Sequence, residues 1–298
     1  MSKKHPIVVV TGSSGAGTST VRKAVESIFH RQKIRSASIE GDSFHRYDRA
    51  GMRAKMDEAR RDGLNFSHFG ELANEFELLE RLFASYAESG SGQHRYYLHD
   101  DAEAKHHGAR LGLELAAGEF TPWEDIEAGT DLLFYEGLHG LVKTSRIDLT
   151  RYADLKVGVV PVVNLEWIQK IHRDSAERGY SKDEVVDNIL RRMPDYVKYI
   201  TPQFSETDIN FQRVATVDTS NPFIARNIPT LDESFVVIRF RKPDIRNTDF
   251  TNLLSMITGS FMSRRNTIVV PGGKMGMAME LILTPIIHDM IEKARKSR

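Results

Sequence analysis

The chain is 298 residues long, with 40% hydrophobic and 28% charged residues, the make-up of a soluble globular protein rather than a disordered or fibrous one. Lys+Arg and Asp+Glu balance at 41 each, which removes the electrostatic case for nucleic acid or an anionic membrane as the main partner. Cysteine is absent, so disulfides, thiolate metal sites, cysteine nucleophiles and thiol-based switching are excluded.

The polar start, residues 1–4, runs directly into the β-branched stretch 7–10, with no apolar segment of signal-peptide length. The longest later apolar stretch, near 157–163, falls far short of the ~20 residues of a membrane span, and a cytoplasmic location is expected. Residues 7–10 read as a strand buried on both faces, 12–17 as a glycine-serine turn, and 21–29 as a helix. A second strand is expected at 36–40, ending in Gly41-Asp42, then a charged helix at 48–61 and a longer amphipathic helix at 71–88, apolar at Leu72, Phe76, Leu79 and Phe83. Gly90-Ser91-Gly92 breaks it. A short edge strand is predicted at 95–98 and an exposed excursion at 108–122.

Strands follow at 132–135 and 155–160, and helices at 165–178 and 182–193, the second broken at Pro194. Late strands are predicted at 213–218, 234–241 and 268–270, and a closing helix at 275–296 that tolerates Pro285. Apolar strands alternating with helices imply an α/β fold, with a mixed, largely parallel sheet covered on both faces. No repeat or linker divides the chain, so one domain spanning 1–298 is expected.

Gly12, Ser13, Ser14, Gly15, Ala16, Gly17, Thr18, Ser19 and Thr20 lie between the first strand and the first helix, the setting of a phosphate-binding P-loop. Glycines there let backbone N–H groups converge on phosphate oxygens, and the helix N-terminus adds a favourable dipole. Ser19 holds the hydroxyl position that meets Mg²⁺. Thr18 stands where the usual motif has lysine, so a cation must come from elsewhere or the protein turns over no nucleotide.

Taken with residues 39–46, 134–140, 164–174, 203–213 and 218–223, this loop gives a chain that resembles the bacterial (class I) phosphoribulokinases of the phosphoribulokinase/uridine kinase family of P-loop kinases. The similarity covers most of the chain and varies near 102–130; threonine at the lysine position is itself a feature of the bacterial branch. The resemblance implies a P-loop nucleoside triphosphate hydrolase-like fold. It also implies ATP-dependent phosphorylation of ribulose 5-phosphate to ribulose 1,5-bisphosphate, the reaction that feeds carbon fixation in the Calvin cycle.

The residues make chemical sense in those roles. Asp42 follows a strand and so belongs at the carboxyl edge of the sheet, where ligands of open α/β sheets bind. There it can take the proton of an attacking hydroxyl, or it caps the next helix. Glu136 ends a strand as a Walker-B acid does, touching Mg²⁺ directly or through water. Lys170, Asp174 and Arg178 share a helix face, with Arg173 beside them. Lys170 is the candidate for the missing cation, and Asp174 is the rival to Asp42 as base or a second metal-site acid. Otherwise the row is a solvated salt-bridge face. The family pattern places Arg173 and Arg178 in the active site and assigns His45 and Arg49 to the sugar phosphate.

His99-Asp100-Asp101 is a weaker candidate for the substrate pocket, and His94, His99, His106 and His107 fit no recognised metal spacing. The family also implies a homo-oligomer, an octamer in the bacterial branch, activated by NADH and inhibited by AMP. Arg31, Arg239 and Arg264 are its candidate effector residues, with Arg191-Arg192 linked to effector response or catalysis. The competing readings are a related kinase for another hydroxyl acceptor, such as uridine or pantothenate, and a non-catalytic nucleotide sensor.

Overall fold

The computed structural model describes residues 4–13, 18–177, 181–242 and 248–298. In chain order the strands are β1 (Ile7–Gly12), β2 (Ser36–Glu40), β3 (Gln93–His94), β4 (Glu124–Asp125), β5 (Leu132–Gly137), β6 (Leu155–Val160), β7 (Ile209–Ala215), β8 (Ser234–Phe240), β9 (Phe261–Arg264) and β10 (Thr267–Pro271). The α-helices are α1 (Thr18–Gln32), α2 (Arg49–Arg61), α3 (Phe76–Ser89), α4 (Asp101–Leu111), α5 (Val163–Glu177), α6 (Lys182–Asp195), α7 (Phe250–Met256) and α8 (Met275–Ser297).

Among the described residues, eight strands form one sheet in the order β2-β5-β1-β6-β7-β8-β10-β9. The pairs from β2 to β7 are parallel, and β8, β10 and β9 continue the sheet antiparallel. Alternation along each strand feeds two apolar layers. Val8, Val10, Leu132 and Phe134 face α1 and α8, whereas Ile7, Val9, Leu133 and Tyr135 face α3. Of the parallel strands, β1, β5 and β6 are largely buried on both faces and read as apolar runs, whereas β2 at the sheet edge and β7 mix polar with apolar residues. All five parallel strands end at one edge, which gathers the segments after β1, β2, β5, β6 and β7.

The mixed, largely parallel sheet agrees with the sequence reading, but several elements differ. The helix expected over 71–88 is split: Glu71–Ala73 is a 3₁₀ turn, Asn74 is extended, and α3 starts at Phe76, leaving Leu72 exposed. The split lets residues 73–75 pair with the turn after β2, through Glu75 N to Phe44 O (2.8 Å) and Arg46 N to Ala73 O (2.8 Å). The edge strand expected at 95–98 is reduced to a bridge between Tyr97 and Phe120, with β3 and β4 pairing just before it. Pro122, which has no N–H to donate, sits in the opposing stretch and interrupts the ladder.

The first four residues of the expected excursion at 108–122 belong to α4, which is capped by Asp100 at its start and by left-handed Gly112 at its end. β7 begins at Ile209, four residues before the predicted strand, and ends at Ala215. α6 runs through Pro194 and passes into a π-helical turn, Tyr196–Ile200, rather than stopping there.

Asp131, just before β5, fastens the closing helix to the sheet. It accepts from Arg35 N (3.0 Å) and from both Arg295 Nε (3.2 Å) and Nη2 (3.1 Å). Burial pushes its pKa up, but these donors outweigh that and hold it below the usual aspartate range. Its contribution to stability is thus present above the ordinary aspartate pKa and fades as pH falls below it. Asp131→Asn is expected to cost about 2 kcal/mol at neutral pH and less in acid, as read by urea denaturation at both pH values.

Candidate active site

The carboxyl edge of the parallel strands carries two groups of candidate side chains. The first stands on the turn after β2. Gly41–Phe44 forms a 3₁₀ turn that ends β2 and lifts Asp42 to the sheet edge. Gly41 is required there: a Cβ would lie 2.6 Å from the Tyr135 hydroxyl and 2.9 Å from the backbone of Gly137. The Asp42 side chain is 41% exposed, and its Oδ1 lies 3.3 Å from Nε2 of His45, which is buried. Burial alone would raise the Asp42 pKa, yet the hydrogen bond and charge of His45 hold it well below the aspartate range. Burial alone would lower the His45 pKa, but Asp42 and Asn74 raise it.

Arg49 opens α2 behind the Asp48 cap, which accepts from Gly51 N at 2.7 Å. Its guanidinium donates to the His99 carbonyl (2.8 Å), while the His99 ring lies 3.7 Å from Glu40. His99 therefore joins the turn after β2, the candidate acceptor turn, as its sequence position allowed, whereas Asp100 is spent on capping α4.

The second group stands on α5. Lys170 Nζ donates to Asp174 Oδ2 (2.5 Å), and Arg173 Nε donates to Asp174 Oδ1 (3.2 Å). Asp174 is 4% exposed, so a buried carboxylate holds two cations in place. Burial lowers the Lys170 pKa, with Arg192 adding to that and Asp174 opposing it. Trp167, one turn earlier on α5, packs against Phe223 with ring centroids 5.4 Å apart.

His68 stands between the groups electrostatically: burial and the charges of Arg192, His45 and Lys170 lower its pKa, and Asp42 opposes them. Asp195 ties the loop of His68 to the end of α6, accepting from Ser67 Oγ (2.7 Å) and Asn65 Nδ2 (3.0 Å). Between the groups, Glu136 ends β5 in register with Val10 of β1 and Glu40 of β2. Glu40 is itself paired with Arg22.

Gly12 ends β1, Ser13 follows it buried, and Thr18, Ser19 and Thr20 form the first turn of α1. Of the remaining candidates, Ser14, Gly15, Ala16, Gly17 and Arg178 lie outside the described residues.

A profile of the phosphoribulokinase/uridine kinase family matches residues 7–220. The chain belongs to that family. It is 60% identical over 298 residues to the chromosomal phosphoribulokinase of Cupriavidus necator, covering all of this chain and 99% of that one. It is 59% identical to phosphoribulokinase 2 of Cereibacter sphaeroides over the full length of both. Among solved structures, a phosphoribulokinase from Rhodobacter spheroides superposes with a TM-score of 0.88 at 56% identity, covering 99% of this chain and 100% of that chain.

Family membership accounts for the motifs but leaves three supporting side chains that sequence reading missed. Arg95 donates to the carbonyls of Ser43 (2.9 Å) and His45 (2.7 Å), and its guanidinium lies over the rings of Phe120 (3.6 Å) and Trp123 (4.7 Å). Trp123 also meets Phe44 of the acceptor turn, with centroids 5.5 Å apart. Gln203 accepts from Thr11 Oγ1 (3.1 Å) and Leu141 N (2.9 Å) and donates to the carbonyls of Leu138 and Tyr199 (2.8 Å each). It thereby locks the loop after Glu136 to the end of β1. Asn74 holds the His45 ring.

The three candidate effector arginines do not meet within one chain. Arg239 and Arg264 both lie opposite Thr267, on the sheet face away from α8. Arg31, at the end of α1, pairs with Glu280 of α8 in the layer covering the other face (2.7 Å).

Proposed function

We propose that the chain transfers the γ-phosphoryl group of ATP to the C1 hydroxyl of ribulose 5-phosphate, giving ribulose 1,5-bisphosphate and ADP. The observation that carries the substrate assignment is the 57–60% identity to proteins named phosphoribulokinase, over 99% or more of this chain. The chain is an ATP-dependent kinase acting on a small sugar phosphate. The Asp42–His45 turn supports this, since it puts an anion beside a cation where a phosphorylated alcohol would dock.

In this reading the substrate hydroxyl oxygen attacks the γ-phosphorus, the bond to the β,γ-bridging oxygen breaks, and the hydroxyl proton passes to Asp42. The depressed pKa of Asp42 makes it a weak base, which suits a loose transition state in which orientation counts for more than proton removal. Lys170 and Arg173 supply positive charge to the transferring phosphoryl group, filling the role left by Thr18. Asp174, with both oxygens engaged by those cations, serves as their anchor. Arg49 and His45 receive the sugar phosphate, with Arg178 assigned there by family pattern.

Mg²⁺ fits the Glu136 carboxylate at the sheet edge, a hard oxygen ligand, since Mg²⁺ is commonly held by one or two protein oxygens plus substrate phosphates; by its sequence position Ser19 would supply the second. When bound the ion neutralises charge on the β- and γ-phosphates.

The unit acts as one domain in a cytoplasmic homo-oligomer regulated by NADH, and Arg31 in one subunit meets Arg239 and Arg264 of another across a contact. No helix among the described residues is long and apolar enough to cross a membrane. A coupled assay of ADP release tests the reading. ADP formation is expected only with ribulose 5-phosphate, to rise with NADH, and to ignore reducing agents. Equal rates without the sugar phosphate would overturn the substrate assignment, and indifference to NADH the regulatory one.

A further inference from the structure

The chemistry of the acceptor turn depends on the protonation of one buried ring, His45, and the structure shows what sets it. Asn74 is 2% exposed and His45 is 6% exposed, so neither exchanges its partners freely with water. The Asn74 amide nitrogen donates to the carbonyls of His68 (2.8 Å) and Gly70 (2.7 Å). Both of its hydrogens are thereby placed. Turning the amide over would set its oxygen against two carbonyl oxygens, so the network fixes its orientation.

The Asn74 oxygen therefore faces Nδ1 of His45 at 2.8 Å, and Nδ1 must carry a proton. The other ring nitrogen, Nε2, lies 3.3 Å from the Asp42 carboxylate. In a neutral ring with the proton on Nδ1, Nε2 would aim its lone pair at that carboxylate. With Asp42 ionised, only a second proton on the ring makes the contact attractive.

We infer that Asn74 is a positioning residue that keeps His45 doubly protonated, so that the turn offers the phosphorylated substrate a fixed cation rather than a titrating ring. The inference rests on the reading of this turn as the sugar-phosphate site. Its backbone position follows from the break before α3, which pairs residues 73–75 with residues 44–46.

The neighbours of His45 agree. Asp42 is the anion in contact with it. His68, with ring centroids 5.3 Å away, is kept neutral by burial and by Arg192, so it adds no competing charge. His139 is likewise buried, with its pKa pushed down to about 3. His99 opposes the His45 charge, but its nearer partner is Glu40. Arg95 meets the backbone carbonyl of His45 rather than the ring.

Two variants and one direct measurement test this. Asn74→Ala removes the acceptor, and Asn74→Asp keeps an acceptor while losing both amide donations. In Asn74→Ala, KM for ribulose 5-phosphate is expected to rise ~10-fold or more, the scale of one lost hydrogen bond to a charged group. The alkaline limb of kcat/KM for ribulose 5-phosphate should also move to lower pH.

In Asn74→Asp that limb should stay in place or move to higher pH, although the fold is at least as destabilised. A merely structural Asn74 would leave the limb unmoved in both variants and rank them by melting temperature, which would overturn the proposal. Nitrogen-15 NMR of the His45 ring in the unaltered protein decides the matter without kinetics. Protons on both nitrogens at neutral pH support the assignment, and a neutral ring there refutes it. Should ribulose 5-phosphate not be turned over, the substrate reading fails while the NMR result still judges Asn74.

Discussion

Asp42→Asn is expected to lower kcat at least ~10²-fold, the low end of the range for a lost general base, while ATP binding stays near normal. The substitution keeps the size and the reach of the side chain but removes the proton acceptor. It also strips His45 of the anion that holds its second proton, so KM for the sugar phosphate should rise as well. Steady-state kinetics with each substrate varied separates the two effects. Because the carboxyl is held well below the aspartate range, the unaltered protein should keep its base ionised through mildly acid pH. Loss of activity on the alkaline side should instead follow His45. Near-normal kcat in Asp42→Asn would remove Asp42 as base. Asp174 would then be the next candidate, although Lys170 and Arg173 occupy both of its oxygens.

Lys170→Met is expected to lower kcat/KM for ATP by ~10²–10³-fold, the usual loss when one preorganised donor to a developing charge is removed. No lysine stands in the phosphate loop to share the load, since Thr18 occupies that position. The substitution also removes one of the two cations held by Asp174, 4% exposed, and leaves Arg173 beside it, so a fall in melting temperature should accompany the kinetic loss. A variant that melts earlier but uses ATP normally would make Lys170 a structural ion pair and nothing more. Placing lysine at Thr18 in the Lys170→Met background is not expected to restore activity, because the two positions approach from different elements, the start of α1 and the middle of α5.

β1, β5 and β6 were legible because they are largely buried on both faces and appear as apolar runs, and Asp42 and Glu136 could be placed at the sheet edge because each closes an expected strand. β8 and β10 were expected close to their observed bounds, whereas β7 was expected four residues late and β9 was not expected. β9 has three exposed residues in four and no apolar pattern, and α7 has only seven residues, too few for helical periodicity to stand out. α4 had its signals, a capping aspartate and a terminal glycine, but Gly108 within it argued for a loop.

In the site, residues belonging to contiguous motifs could be named in advance. Their supports could not, because each acts across the fold. Asn74 reaches His45 over 29 positions, Arg95 reaches Ser43 over 52, and Gln203 reaches Thr11 over 192. No local spacing encodes such a pair; only the sheet order brings the segments together.

The chain has two tryptophans, and each sits beside a different one of the two candidate groups. Trp123 stacks on the acceptor turn through Phe44 and Arg95, and Trp167 rides on the helix of Lys170, against Phe223. The protein thus carries its own pair of optical reporters. With either indole replaced by phenylalanine, emission from the other is expected to follow one group alone, so the docking proposed for each can be timed separately, without an added dye and with no cysteine to complicate the spectroscopy.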